Sequence, residues 1–247
     1  MARIEELTSR IEEAKDLRLA AQKETEAIMP AALAQIYSNV EERGWTLEPL
    51  GKVCEVNPSR KGKMRYPNDM LVTFIPMSAI NAESGTIATP EERPFAKVKK
   101  GYTWFIENDI LFAKITPCMQ NGKVAIARSL LNGVGFGSTE FHVLRPLEGV
   151  SPEWVYFFVR QPSFRKLAEV NFTGSVGQQR VPDSFMKSQE IPFPPLDEQR
   201  RIVAYLDRLQ SKVQELRRLQ EETQKEIGAM TAAVLDKAFR GRLRKTV

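Results

Sequence analysis

The last forty-odd residues of this 247-residue chain carry an apolar pattern that an ordinary core helix does not need. After Pro194-Pro195-Leu196, apolar side chains fall at Ile202, Leu206, Leu209, Val213 and Leu216, then resume at Ile227, Met230 and Val234. The gaps alternate between four and three, the 3.5-residue period of a seam built for a partner helix. Gln220 stands where the seam calls for Leu, and a polar residue there costs stability but fixes register. A helix of about 40 residues is about 60 Å long and needs a second long helix beside it.

The N-terminus offers one. Ile4, Leu7, Ile11 and Ala14, followed by Arg18, Ala21, Thr25 and Ile28, keep the same period. An offset of 202 residues lays Ile4 on Leu206, Leu7 on Leu209, Ile11 on Val213 and Ala14 on Leu216. The polar breaks Arg18 and Gln220 coincide, and a Gln-Lys-Glu triplet recurs at 22–24 and 224–226. Self-similarity at a fixed offset marks an internal repeat. The partner is therefore residues 4–37 of the same chain or of a second copy. Residues 1–43 hold nine acidic and six basic side chains, residues 196–247 eight and twelve, so charge favours pairing the two. Pro30 predicts a kink or a fresh start within the first helix.

Between them, residues 44–195 change character, with short β-branched and aromatic runs punctuated by Gly, Pro and Asn. Strands are expected near 71–76, 102–105, 109–115, 122–127, 139–145 and 189–193, and helices over 152–159 and 163–169. The layout is α+β: a globular mixed domain over 44–195, flanked by a helix in 1–43 and a long helix in 196–247.

Catalysis finds little support. The only histidine, His142, lies in a strand-like run and reads as a packed residue rather than a base. Gly133-Val-Gly-Phe-Gly137 neither follows a strand nor opens a helix, so it predicts a turn and not a phosphate cradle. Cys54 and Cys118 have no metal-site spacing, which argues for a reducing compartment and against zinc or disulfides. No apolar run approaches a membrane span. The reading is a non-catalytic, cytoplasmic protein with no metal and no membrane partner. A net charge of +5 suits a polyanionic partner without demanding one.

Two polar loops carry what groove readout requires. Lys114, Thr116, Gln120, Asn121 and Lys123 form one; Thr173, Ser175, Gln178, Gln179 and Arg180 form the other. Arg and Lys pair with guanine edges, Asn and Gln with adenine, while hydroxyls hold phosphates. Basic clusters at Arg60, Lys61, Lys63, Arg65 and at Lys97, Lys99, Lys100 add charge. The competing reading is a coiled-coil scaffold whose globular domain binds protein.

Longer strings sharpen the choice. Phe172-Thr-Gly-Ser-Val-Gly-Gln-Gln-Arg-Val-Pro182, then Ile191-Pro-Phe-Pro-Pro-Leu-Asp-Glu-Gln-Arg-Arg-Ile-Val203, closely resemble the specificity (S) subunit of type I restriction–modification systems. Asp109-Ile-Leu-Phe-Ala-Lys-Ile-Thr-Pro-Cys118, Asn121-Gly-Lys123 and Gly137-Ser-Thr-Glu-Phe141 support the match, which runs over about 45–241. The resemblance implies a target recognition domain at 44–195 that reads double-stranded DNA, and a spacer and dimerisation helix at 196–247. It also implies separate methyltransferase (M) and restriction (R) subunits as partners. No cofactor is expected in this chain; S-adenosylmethionine would sit on the methyltransferase. The family's usual subunit has two recognition domains, whereas this chain has one, resembling a half-length form or a piece of a full one. A homodimer would then read an interrupted palindrome, joined through Ile202, Leu206, Leu209, Val213, Leu216 and Gln220.

Overall fold

A computed structural model describes residues 2–60, 66–175 and 178–239. In chain order the elements are α1 (Ala2–Ser38), β1 (Thr46–Pro49), α2 (Leu50–Val53), β2 (Cys54–Val56), β3 (Leu71–Ile75), β4 (Glu91–Pro94), α3 (Phe95–Val98), β5 (Thr103–Ile106), β6 (Ile110–Ala113) and β7 (Val124–Ile126). They continue with β8 (Val134–Gly137), β9 (Phe141–Pro146), α4 (Pro152–Arg160), α5 (Pro162–Val170), α6 (Asp183–Ser188), β10 (Glu190–Phe193) and α7 (Leu196–Phe239). They group into two compact units, one of Leu33–Ala204 and one of the chain outside it.

The Leu33–Ala204 unit is built on two four-stranded sheets and a ribbon. One sheet is antiparallel throughout, in the order β2-β9-β6-β7. The second runs β4-β3-β8-β5, with β3 and β8 parallel. The ribbon pairs β1 with β10, Thr46 opposite Phe193 and Pro49 opposite Glu190. Ile75, Phe105, Leu111, Ala125, Phe141 and Val143 interdigitate between the two sheets, and the other face of the second sheet buries Val72, Phe74 and Phe136 with Phe95 and Val98 of α3. Burying each large apolar side chain contributes about 1.5–3 kcal/mol.

The segment expected to turn at Gly133–Gly137 is instead strand β8, lying between β3 and β5. Its glycines are there for close packing. A Cβ on Gly135 would lie 2.0 Å from the Phe105 ring, and one on Gly137 would lie 2.5 Å from the Ile75 carbonyl oxygen. Glycine here marks close approach within a sheet. Strands β1, β2 and β4 were also not expected; all three are of three or four residues. The first helix ends at Ser38, short of 43, and continues through Pro30 without the expected restart. The missing N–H at that position leaves one carbonyl of the preceding turn without its helical donor.

The start of α7 belongs to the globular unit, and so do Leu33, Ile36 and Tyr37 at the end of α1, all three buried. Gln199, fully buried, accepts the Ser151 N–H at 2.9 Å and donates to the Pro194 and Gly149 carbonyls at 2.9 and 3.2 Å. Glu198 accepts the Trp45 indole N–H at 3.1 Å. Trp154 donates to the Pro192 carbonyl, and Tyr37 to that of Trp154. Glu198 and Gln199 are thus a polar latch at the root of the long helix.

The other unit contains the two long helical stretches. Leu206 and Val213 are buried, Leu209 is half-buried, and Ile11 answers from α1. Gln220 is buried and donates from Nε2 to Thr25 Oγ1 at 2.8 Å and to the Ala21 carbonyl at 3.1 Å. The partner helix therefore comes from the same chain, and Gln220 meets Thr25 of its seam. Leu216, expected in the seam, is 42% exposed. No helix among the described residues is long and apolar enough to cross a membrane.

Candidate nucleic-acid interface

The two polar loops meet. The first leaves β6 and returns into β7; the second follows α5 and leads to α6. The Val181 N–H donates to the Lys114 carbonyl at 2.9 Å, and the Thr116 N–H to that of Gln179 at 3.1 Å. Thr173 and Arg180 exchange backbone bonds at 3.0 and 2.9 Å, and Ile115 bridges Arg180. Residues 63 to 67 positions apart in sequence thus form one small ladder that presents both loops together.

The first loop is held from inside. Met119 is buried beneath it, and Gly122 takes a positive φ of 80° that a residue with a Cβ would adopt only under strain. Its peptide bond Thr116–Pro117 is cis. Arg165 of α5 donates to the Gln120 carbonyl at 2.9 Å, and the Gln120 side chain bonds Glu169. Lys123 donates its ammonium to the Met77 carbonyl at 2.8 Å. Lys114 Nζ makes no hydrogen bond or ion pair among the described residues, and Asn121 is exposed.

In the second loop Thr173, Ser175 and Gln178 are exposed and Gln179 is half-buried; Val176 and Gly177 lie outside the described residues. Arg180 is committed within the protein. Its fork donates to both Glu140 oxygens at 2.8 Å and to the Gln178 carbonyl at 2.9 Å. The Arg180 hydrogen bonds hold the Glu140 carboxyl below the usual carboxylate range. In the free chain this arginine orders the loop on which the two glutamines stand.

His142 is fully buried, as a packed residue. Nε2 lies 2.8 Å from the Val181 carbonyl, so it carries the proton, and Nδ1 accepts from Asn57 Nδ2 at 3.0 Å. Asn57 also donates to Asp183 Oδ2 at 2.9 Å and accepts the Val143 N–H at 2.9 Å. Burial pushes the imidazole below its ordinary value. Nearby, buried Asp109 takes a two-pronged grip from Arg145 at 2.8 and 2.6 Å and the Ile106 N–H at 2.8 Å. Burial still raises its carboxyl pKa, against those hydrogen bonds. Neither group is placed for chemistry; both are framework.

Residues outside the two loops were harder to foresee. Arg60 and Lys99 come from the two basic clusters, and the fold joins them: Arg60 Nη2 donates to the Lys99 carbonyl at 2.8 Å. Lys61, Lys63 and Arg65 lie outside the described residues. No group of three or more His, Cys, Asp or Glu suited to a metal occurs among the described residues.

The class this architecture defines is a β-rich recognition domain carrying clustered polar loops, with long helices on either side of it in sequence. A sequence model of the type I restriction modification DNA specificity domain matches residues 42–225, and the chain belongs to that family. It is 40% identical over 175 residues to the type I restriction enzyme EcoAI specificity subunit of Escherichia coli, and 38% over 168 residues to the EcoEI specificity subunit of the same organism. These matches cover 70% and 67% of this chain but only 29% and 28% of those relatives. Among solved structures, the HsdS subunit from Thermoanaerobacter tengcongensis aligns over 98% of this chain and 57% of its own, with TM-score 0.59 and 28% identity. A chain from a structure of the assembly and conformational transition of the type I R-M system aligns at TM-score 0.74 and 27% identity, over 98% of this chain and 58% of its own. Those relatives are named as specificity subunits, and the matching family model is that of their DNA specificity domain.

Proposed function

We propose that this chain reads a short half-site in double-stranded DNA and directs partner methyltransferase and restriction subunits to it. The observation that carries the reading is the union of the two loops by the ladder of 114–116 and 173–181, which brings Lys114, Thr116, Asn121, Thr173, Ser175, Gln178 and Gln179 together. Such groups in one place suit base edges and phosphates together. Arg180, Lys123 and Gln120 serve as supports in this scheme, their side chains being already bonded within the protein. S-adenosylmethionine would be held by the methyltransferase.

A second copy would supply the second half-site. Leu17, Leu19, Leu216, Leu219, Met230 and Leu235 are exposed on α1 and α7 and give a second pair of helices something apolar to cover. With twofold symmetry both copies read the same bases, so the target is an interrupted palindrome. The 44 residues of α7 measure about 66 Å, against about 34–36 Å for a DNA turn, so several base pairs separate the halves.

Single-base methylation mapping in cells carrying this chain and its methyltransferase tests the reading. A repeated, inverted half-site is expected; an asymmetric target would remove the homodimer, and no methylation would remove the reading. Binding to duplex DNA with the methyltransferase present should fall steeply with salt. A scaffold protein would show no such dependence.

A further inference from the structure

Beside the ladder lies a cleft of about 410 Å³, where β5 and β8 of one sheet face β9 of the other. Its lining includes buried Trp104, Phe136 and Phe141 and the cations Arg60, Lys99 and Lys114. Only Lys114 belongs to the two loops.

Two hydrogen-bond donors in this lining have no partner. Arg60 Nη1 and Trp104 Nε1 are buried and unbonded among the described residues. The other two indoles are satisfied, Trp45 by Glu198 and Trp154 by the Pro192 carbonyl. A buried donor left unpaired costs about 1–3 kcal/mol, and native proteins hold few of them. Two on one cleft single it out. Arg60 is also fixed in place, bonded to Lys99 and stacked 5.4 and 5.6 Å from the Phe95 and Phe136 ring centres.

The chemistry of the unpaired set is one-sided. Guanidinium, indole and ammonium groups donate and cannot accept. The carboxylate in the lining, Asp183, is already bonded to Asn57, and Asn57 spends its own amide on Asp183, His142 and Val143. A base edge offers donors and acceptors in alternation, whereas the two buried unpaired groups of this lining, Arg60 Nη1 and Trp104 Nε1, only donate. An anionic oxygen cluster asks only for donors and positive charge. Arginine matches the oxygens of a phosphate in particular.

We propose that this cleft seats one backbone phosphate of the bound DNA, with Arg60 Nη1 and Trp104 Nε1 donating to its oxygens and Lys114 adding charge at the edge of the first loop. This rests on the DNA reading above. Neither nitrogen touches solvent in the free chain, so the lining side chains part as the phosphate enters. Lys114 begins the first loop, so a strand held here is set in register against the base-reading groups.

The test uses the chain with its methyltransferase and a duplex carrying the mapped target, and a second duplex lacking it. Arg60→Met and Lys114→Met should weaken binding to both duplexes by about tenfold or more and each lower the slope of log affinity against log salt by about one. Trp104→Phe keeps an aromatic ring but removes the N–H together with part of the indole; it should weaken both by a few-fold, which keeps the proposal testable should Arg60→Met fail to fold. The three tryptophans, labelled with 5-fluorotryptophan, give a direct probe. Duplex DNA should move the ¹⁹F signal of Trp104, assigned by its loss in Trp104→Phe, more than those of Trp45 and Trp154. Inorganic phosphate at the same phosphate concentration should not. If inorganic phosphate moves it and DNA does not, the seat is for a free anion and the proposal fails. It fails equally if the variants bind as wild type does, or lose only the target duplex with the salt slope unchanged. Wild-type protein that shows no salt-dependent binding at all would overturn the DNA reading itself, a separate result.

Discussion

At the scale of single residues, this domain is held by buried polar groups whose partners are named and few. Arg145 grips Asp109 and also stacks 4.7 Å from the Trp104 ring centre. Arg145→Met would leave a carboxylate buried without its countercharge, at a cost of about 3–5 kcal/mol in urea unfolding. Gln199 makes three bonds to backbone groups, and Gln199→Leu strands all three; a loss of roughly 3 kcal/mol is expected, since each stranded group costs about 1–3. His142 supplies a pH signature. The folded chain holds the imidazole below its ordinary value of 6.5, so the unfolded chain binds the proton more readily. Stability is therefore complete above that value and falls as pH drops through and below it. Comparing urea midpoints at pH 7 and pH 5 should show a smaller drop for His142→Gln than for wild type; an equal drop would mean His142 is not the group responsible. The sequence marked His142 as a packed residue from its apolar neighbours. It was silent on the partners, because Asn57 and Asp183 are brought to the ring only by the pairing of β2 with β9 and the placement of α6.

Among the elements, the long ones were legible and the short ones were not. The 3.5-residue period runs the length of α1 and α7, so many residues vote for the same answer. Strand β8 went unread because Gly135 and Gly137 look like turn residues until the Phe105 ring above them is known. Strands of three or four residues such as β2 and β4 carry too little alternation to stand out. Gly137→Ala tests the packing account. Its Cβ would meet a backbone oxygen that cannot swing away, and a loss of about 1–3 kcal/mol is expected by thermal or urea unfolding. On the helices, the Gln220–Thr25 contact invites a double-mutant cycle with Gln220→Leu and Thr25→Val. A coupling of about 0.5–1.5 kcal/mol is expected. Arg18, its counterpart in the repeat, should show none with Gln220. The repeat pointed to the helix, and the contact falls on Thr25 of its seam, because positions that match in two copies need not face each other.

For the molecule as a whole, the candidate site was half visible. The polar loops declared themselves by composition, and their union could not be foreseen, since the ladder joining 114–116 to 173–181 spans residues distant in sequence. Arg60 and Lys99 stood in separate basic clusters with nothing to connect them. Self-association is the prediction that belongs at this scale. Leu216→Glu with Leu219→Glu should weaken a homodimer by at least about tenfold in light scattering, since charge enters a face that would be covered. The globular domain should keep its own unfolding transition in that variant.

The ribbon of β1 and β10 has one more consequence. It sets Thr46 against Phe193 and Pro49 against Glu190, so the recognition segment begins and ends at the same doorway. A stretch of chain whose two ends lie side by side can be lifted out and another of the same span set in, while the helices before and after keep their register. New specificities can then arise by exchange of a cassette rather than by rewriting it residue by residue.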